Sequence, residues 1–240
     1  MITAVIQARM TSTRLPGKVL ADVCGKPMLE QMLKRVRRAE SLDQIVVATT
    51  ENAADDPAVA LCERLGVMSY RGDEHDVLGR FLGVARGVGA PILIRLTADC
   101  PMIEPALIDQ AVAMLRENDF DYVSNTRVRT YPDGLDVEAF TAAALEIASR
   151  EAIEPELREH VTPYIHGGRK DLPSGNFKRG DLVFDADFGH LRWTVDYPED
   201  LERIRCFFRQ LPENFTWLEA LSLATRQPDL LGIDTAHHLN

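Results

Sequence analysis

The sequence predicts an α/β fold built on a doubly wound, mostly parallel sheet, and three observations support it. Apolar runs of strand length, rich in Val and Ile, alternate through the first half with segments whose apolar residues recur at helical spacing. The resulting order, β-α-β-α, favours parallel pairing through right-handed crossovers and puts ligands at the carboxyl ends of strands, beside a switch in strand order. A hydrophobic share of 45% over 240 residues is enough to bury the core of one domain, 1–240, with a small excursion in its middle third.

Residues 3–8, 44–49 and 91–96 read as buried strands because they are short apolar runs. The stretch 28–39 carries Met28, Met32, Leu33 and Val36 at helical spacing, 56–65 repeats the pattern, and 76–88 starts on an acidic cap and runs to glycine. Next come a helix over 105–117, a strand over 121–125, a helix over 142–154 and two strands within 177–193 around an Asp/Gly turn. Helices over 198–210 and 217–226 close the chain, and the polar stretches 127–134 and 166–175 are its weakest joints.

A formal net charge of -10 argues against nucleic acid or anionic lipid as a general partner, since such binding needs a broad basic face. The 4 cysteines, Cys24, Cys62, Cys100 and Cys206, form no C-x-x-C pair, which argues against a zinc ribbon, a redox dithiol or a disulfide framework. No apolar run approaches the length of a membrane span, and MITAVIQAR has no basic segment ahead of its apolar stretch, so a cytoplasmic protein without membrane insertion is expected.

Against this acidic background QARMTSTRLPGK stands out, with Arg9, Arg14 and Lys18 and no carboxylate until Asp22. A loop between a strand and a helix presents N–H groups to an anion, and here Ser12 and Thr13 add hydroxyls and Gly17 adds freedom, so phosphate is the natural guest. It is not a Walker A loop, because Gly17-Lys18 is followed by Val19, and no G-x-G-x-x-G follows the strand. Candidate nucleotide contacts are Gln7, Ala8, Arg9, Ser12, Thr13, Arg14 and Lys18, with Thr97 at a neighbouring strand end.

Asp99 follows the strand at 91–96, and Asp196 follows a second apolar run and precedes Tyr197-Pro198. Both would sit where ligands lie in such sheets, and two carboxylates can share Mg2+ with substrate phosphates. Each would equally serve as a cap for the helix that follows. Cys100 lacks a nearby histidine and reads as a packed thiol. Asp185-Ala-Asp187 is a D-x-D, a pattern glycosyltransferases use on a nucleotide-bound metal and also one common in solvated turns.

ARMTSTRLPGKVL, GKPML and VVATT resemble the start of the cytidylyltransferases that activate acidic sugars, the CMP-KDO and CMP-acylneuraminate synthetase group. RLTADCPMIEP, YPDGLDVEAF, REHVTPYI and RWTVDYPEDLERI look most like its spore-coat polysaccharide biosynthesis protein F branch, and the likeness runs nearly the whole chain. It implies a Rossmann-like sheet of the nucleotide-diphospho-sugar transferase type, CTP as donor, an acidic sugar or phosphorylated acceptor, a homodimer through the middle third, and Mg2+ on Asp99 and Asp196. Arg14, Lys18, Asp99 and Asp196 would be the catalytic set. The chain departs from CMP-KDO synthetases in carrying Thr97-Ala98 where they have glutamine-glycine, and from the acylneuraminate enzymes in its opening loop.

On the acceptor side, Asp136 and Glu138 alternate with Leu135 and Val137, so a strand would turn both carboxylates to one face, towards sugar hydroxyls, a second cation or solvent. Arg158, His160 and Tyr164 would share a helical face able to grip an anionic substrate. Arg127, Arg129, Tyr131 and Arg192 stand in nearby loops without an order of preference. A glycosyltransferase of related fold using Asp185 and Asp187, or a nucleotide-binding subunit without turnover, are the alternatives.

Overall fold

The computed structural model describes residues 1–168 and 171–232. Its strands are β1 (Ile2–Gln7), β2 (Asp22–Val23), β3 (Lys26–Pro27), β4 (Gln44–Thr50), β5 (Met68–Gly72), β6 (Ile92–Thr97), β7 (Tyr122–Ser124), β8 (Glu138–Thr141) and β9 (Arg179–Asp181). The helices are α1 (Met28–Val36), α2 (Asp56–Arg64), α3 (Val77–Val88), α4 (Pro105–Glu117), α5 (Ala142–Glu151), α6 (Pro155–His160), α7 (Pro163–His166), α8 (Pro198–Gln210) and α9 (Trp217–Arg226).

One sheet runs β5-β4-β1-β6-β8-β7-β9, parallel except where β8 pairs with β6 and β7. This is the predicted doubly wound, mostly parallel, Rossmann-like sheet, and the middle third supplies its antiparallel excursion. Alternation along β1 explains the burial: Ala4 and Ile6 feed the core on one face while Val5 feeds the core on the other. A strand buried on both faces has no polar side, which is why its sequence reads as an apolar run. Among the described residues no helix is long and apolar enough to cross a membrane.

Most predicted elements lie within two or three residues of the observed ones, and the differences have physical causes. The opening loop leads not into a helix but into a short 3-10 turn, Lys18–Leu20, and the β2/β3 hairpin, with α1 only after that. Helix 142–154 stops at Glu151 because Glu154 precedes Pro155 and takes an extended conformation. Among the described residues, the two strands expected in 177–193 reduce to the three-residue β9 and a bridge between Asp133 and Arg192. Part of the backbone there bonds to loop 127–134: Phe184 N–H donates to Thr130 Oγ1 (2.8 Å) and Phe188 N–H to the Thr130 carbonyl (2.8 Å).

Candidate active site

β1 and β6 end level, Gln7 opposite Thr97, and strand order reverses between them, since the chain moves from β1 to β4 and β5 on one side before β6 joins on the other. At the carboxyl ends of these strands lies a cavity of about 310 Å³ lined by Gln7, Ala8, Arg9, Ser12, Thr13, Arg14, Lys18, Thr97, Asp99 and Asp196. All the candidate nucleotide and metal residues therefore share one wall. Local folding explains how. Gly17 has φ 73°, a left-handed conformation that glycine adopts without strain, and its N–H donates to the Met10 carbonyl (2.9 Å), closing the basic loop on itself.

That turn sends the Lys18 side chain inward. Its ammonium donates to Asp99 Oδ2 (3.1 Å), Asp196 Oδ1 (3.0 Å) and the Val195 carbonyl (2.7 Å). Val195 N–H donates to the Asp99 carbonyl (2.9 Å), tying the two carboxylate-bearing segments together. Asp200, 1% exposed, accepts from the N–H groups of Asp196 and Tyr197 (2.9 Å each) and pairs with Arg192 (2.8 Å), so the start of α8 holds Asp196 in place. Burial raises the Asp196 carboxyl, but Lys18, Arg14 (2.6 Å) and Arg192 (3.2 Å) outweigh it and leave it below the ordinary carboxylate range.

A cytidylyltransferase family model matches residues 3–186. The chain is 34% identical over 235 residues to the spore coat polysaccharide biosynthesis protein SpsF of Bacillus subtilis, covering 95% of each. It is 31% identical to the 3-deoxy-manno-octulosonate cytidylyltransferase of Geobacter sulfurreducens over 98% of this chain and 92% of that one. The solved structure of a cytidylyltransferase from Leptospira borgpetersenii superposes with a TM-score of 0.90 at 30% identity, covering 98% of both chains.

The chain belongs to the cytidylyltransferase family. It is thus a nucleotidyltransferase, and the remaining side chains can be placed against that chemistry. Cys100 is buried and its thiol is pushed well up by burial and by Asp99, so this cytidylyltransferase has no thiolate there. Asp185 lines a separate groove with Tyr131 and Phe184, and Asp187 accepts from Gly189 N–H (2.8 Å), so the D-x-D is not part of the cavity lining.

The acceptor-side candidates are not brought together. Glu138 is buried, bonded to Arg95 and to the Tyr122 hydroxyl, and burial's upward push on it is outweighed by Arg95, leaving it lowered. Asp136 forms a two-point pair with Arg129 (2.7 and 2.9 Å). Arg158 and Tyr164 do not share a helical face, because Val161 at φ 69° breaks the chain between α6 and α7. Arg158 instead bonds to Asp76 (2.7 Å) and the carbonyls of Ser149 and Ala152, Tyr164 bonds to Glu151, and His160 is exposed. Arg127 pairs with Asp181 (3.6 Å), and Tyr131 packs edge-on against Trp217.

Three groups went unseen in sequence. Arg95, a cation inside the apolar run ILIRLT, was the visible signal for the first: its Nη2 donates to Gln7 Oε1 (3.3 Å), which turns the Gln7 amide N–H group away from that contact. Asp133, at the edge of the Asp99 field, is raised to about 6 by burial and by Asp136. Arg80 is buried beside Arg9, Glu74 and Asp55, with Nε and Nη1 lacking hydrogen-bond partners, and no local pattern announces it.

The donor set suits Mg2+. Among the described residues no three His, Cys, Asp or Glu side chains converge into an all-protein cage. Two carboxylates lining one cavity are what Mg2+ takes when substrate oxygens and water complete its shell.

Proposed function

We propose that this cytidylyltransferase transfers CMP from CTP to an acidic sugar or phosphorylated acceptor, with release of pyrophosphate, in surface polysaccharide biosynthesis. The observation that carries the proposal is the convergence of Asp99 and Asp196, from separate segments, on Lys18 in a cavity walled by the basic loop. Arg9 and Arg14, both about half-exposed and paired with Glu74 (3.6 Å) and Asp196 (2.6 Å), would exchange these partners for β and γ phosphate oxygens, and Lys18 keeps the two carboxylates at one spot. Such transfers need positioning and charge neutralisation more than covalent help. Asp99 and Asp196 would hold Mg2+, which when bound offsets charge at the α-phosphate.

The donor base and acceptor class rest on the likeness to the named relatives; a homodimer and a cytoplasmic location are proposed from the family resemblance alone. The test is Mg2+-dependent pyrophosphate release with CTP, UTP, ATP and GTP, each against acidic sugars, sugar phosphates and polyol phosphates. Release with CTP and one acceptor supports the proposal, and release with another nucleotide alone sinks the base assignment. Asp99→Ala should abolish release while leaving the melting temperature close to that of the parent; unchanged turnover at limiting Mg2+ would remove Asp99 from the metal site.

A further inference from the structure

Away from the nucleotide cavity, a second one of about 410 Å³ lies between α1 and the link from α8 to α9. Lys26, Lys34, Arg35, Arg37 and Arg38 line it against a single acid, Glu213. In a chain of net charge -10 this is a local inversion of sign. Phe208, Leu211 and Phe215 make part of the wall apolar.

The floor is unusual. Arg35 is 2% exposed and stacks on Phe215, 4.1 Å from the ring centre. Its Nε and Nη2 donate to the carbonyls of Ile103 (2.8 Å) and Phe215 (3.0 Å), its nearest carboxylate, on Glu104, stands 3.8 Å away, and Nη1 has no hydrogen-bond partner. A buried charged donor without an acceptor marks a place where one is wanted. At the rim the ammonium groups of Lys26 and Lys34 adjoin, and their mutual influence lowers Lys26, while Glu213 (2.9 Å from Lys34) balances one of the two. Arg35 is brought down to about 10, by burial first and then by Arg38, so it keeps its charge at neutral pH.

We propose that this cavity binds a small phosphorylated organic anion, with its phosphate among Lys26, Lys34 and Arg35 and its apolar part against Phe208 and Leu211. A phosphate is favoured over a lone carboxylate because its charge and its several acceptor oxygens match converging cations and an orphaned guanidinium N–H. A flat anionic membrane is disfavoured because Arg35 lies beneath the rim, where a bilayer surface does not reach. The site stands apart from the nucleotide reading, since none of its lining residues is shared with that cavity.

The test is calorimetric titration of phenyl phosphate at low ionic strength into the parent protein, Lys26→Ala/Lys34→Ala and Lys18→Ala. Loss of both lysines should weaken binding on the order of tenfold or more, with the effect shrinking as salt rises. Lys18→Ala, which alters the lining of the nucleotide cavity and not of this one, should retain the binding, and inorganic phosphate should bind more weakly than phenyl phosphate. Equal affinity in the parent and the double variant overturns the proposal. So does loss confined to Lys18→Ala, which would put the anion in the nucleotide cavity, or co-sedimentation with phosphatidylglycerol vesicles without phenyl phosphate binding.

Discussion

Replacing Lys18 with methionine keeps an unbranched stem of similar reach and deletes one charge from the centre of the site. The ammonium makes three contacts, to Asp99, Asp196 and the Val195 carbonyl, from a side chain only 10% exposed. Removing one partner of a buried ion pair costs about 3–5 kcal/mol, because the other charge is left uncompensated. Two features moderate that here: Arg14 and Arg192 still balance Asp196, and the Asp99 side chain is 30% exposed. A loss of about 3 kcal/mol, or roughly 6–12 °C in melting temperature for a chain of this size, is expected. Differential scanning calorimetry at neutral pH, with and without Mg2+, measures it. Mg2+ should stabilise Lys18→Met more than the parent, since the two carboxylates have then lost their internal counter-ion. A drop below about 2 °C would refute the role assigned to Lys18, and equal Mg2+ stabilisation of both proteins would refute the carboxylate pair as a cation site.

Other perturbations separate structural partners from ligand contacts. Asp133, raised to about 6 chiefly by burial and then by Asp136, holds its proton more tightly folded than unfolded. Its contribution to stability is therefore full below pH of about 4 and lost as pH rises through about 6; Asp133→Asn should be more stable than the parent at pH 7 by about 1–2 kcal/mol in urea unfolding, and a gain independent of pH would refute this. Glu138→Gln strands the largely buried Arg95, 16% exposed, and should cost about 3 kcal/mol in urea unfolding; a raised acceptor KM with unchanged stability would make Glu138 a ligand contact instead. Arg158→Ala should lose about 1–2 kcal/mol through Asp76 and the carbonyls of Ser149 and Ala152 while leaving acceptor KM unchanged; the opposite pattern would return Arg158 to the acceptor side.

The donor half of the site was more legible than the acceptor half, and the reason is geometric. Gln7, Thr97 and Asp99 sit at the ends of apolar runs, and a doubly wound sheet brings such ends into one crevice whatever the loops do. Local spacing alone points to Asp136, Glu138, Arg158 and Tyr164, and the alternation holds in part: Leu135 and Val137 are buried, with Asp136 between them. What spacing lacks is the partner. Arg129, Arg95, Asp76 and Glu151 claim these groups through contacts that no periodicity encodes. The expected helical face failed for a backbone reason, the positive φ of Val161, which no propensity for a β-branched residue would suggest.

By itself the sequence determined the layering of the sheet, the strand ends that carry Asp99 and the loop that carries Arg9, Arg14 and Lys18, because hydrophobic periodicity and glycine placement act over a few residues. Only the tertiary structure decided that Lys18 is the buried counter-ion of two aspartates, 81 and 178 residues away along the chain, rather than one more exposed cation of the loop. It likewise decided that Glu138 serves Arg95 and that five cations on α1 and its flanks share a cavity with an apolar wall. Charges choose their partners through space, at distances the folded chain sets, and a linear pattern records only which charges are present to be paired.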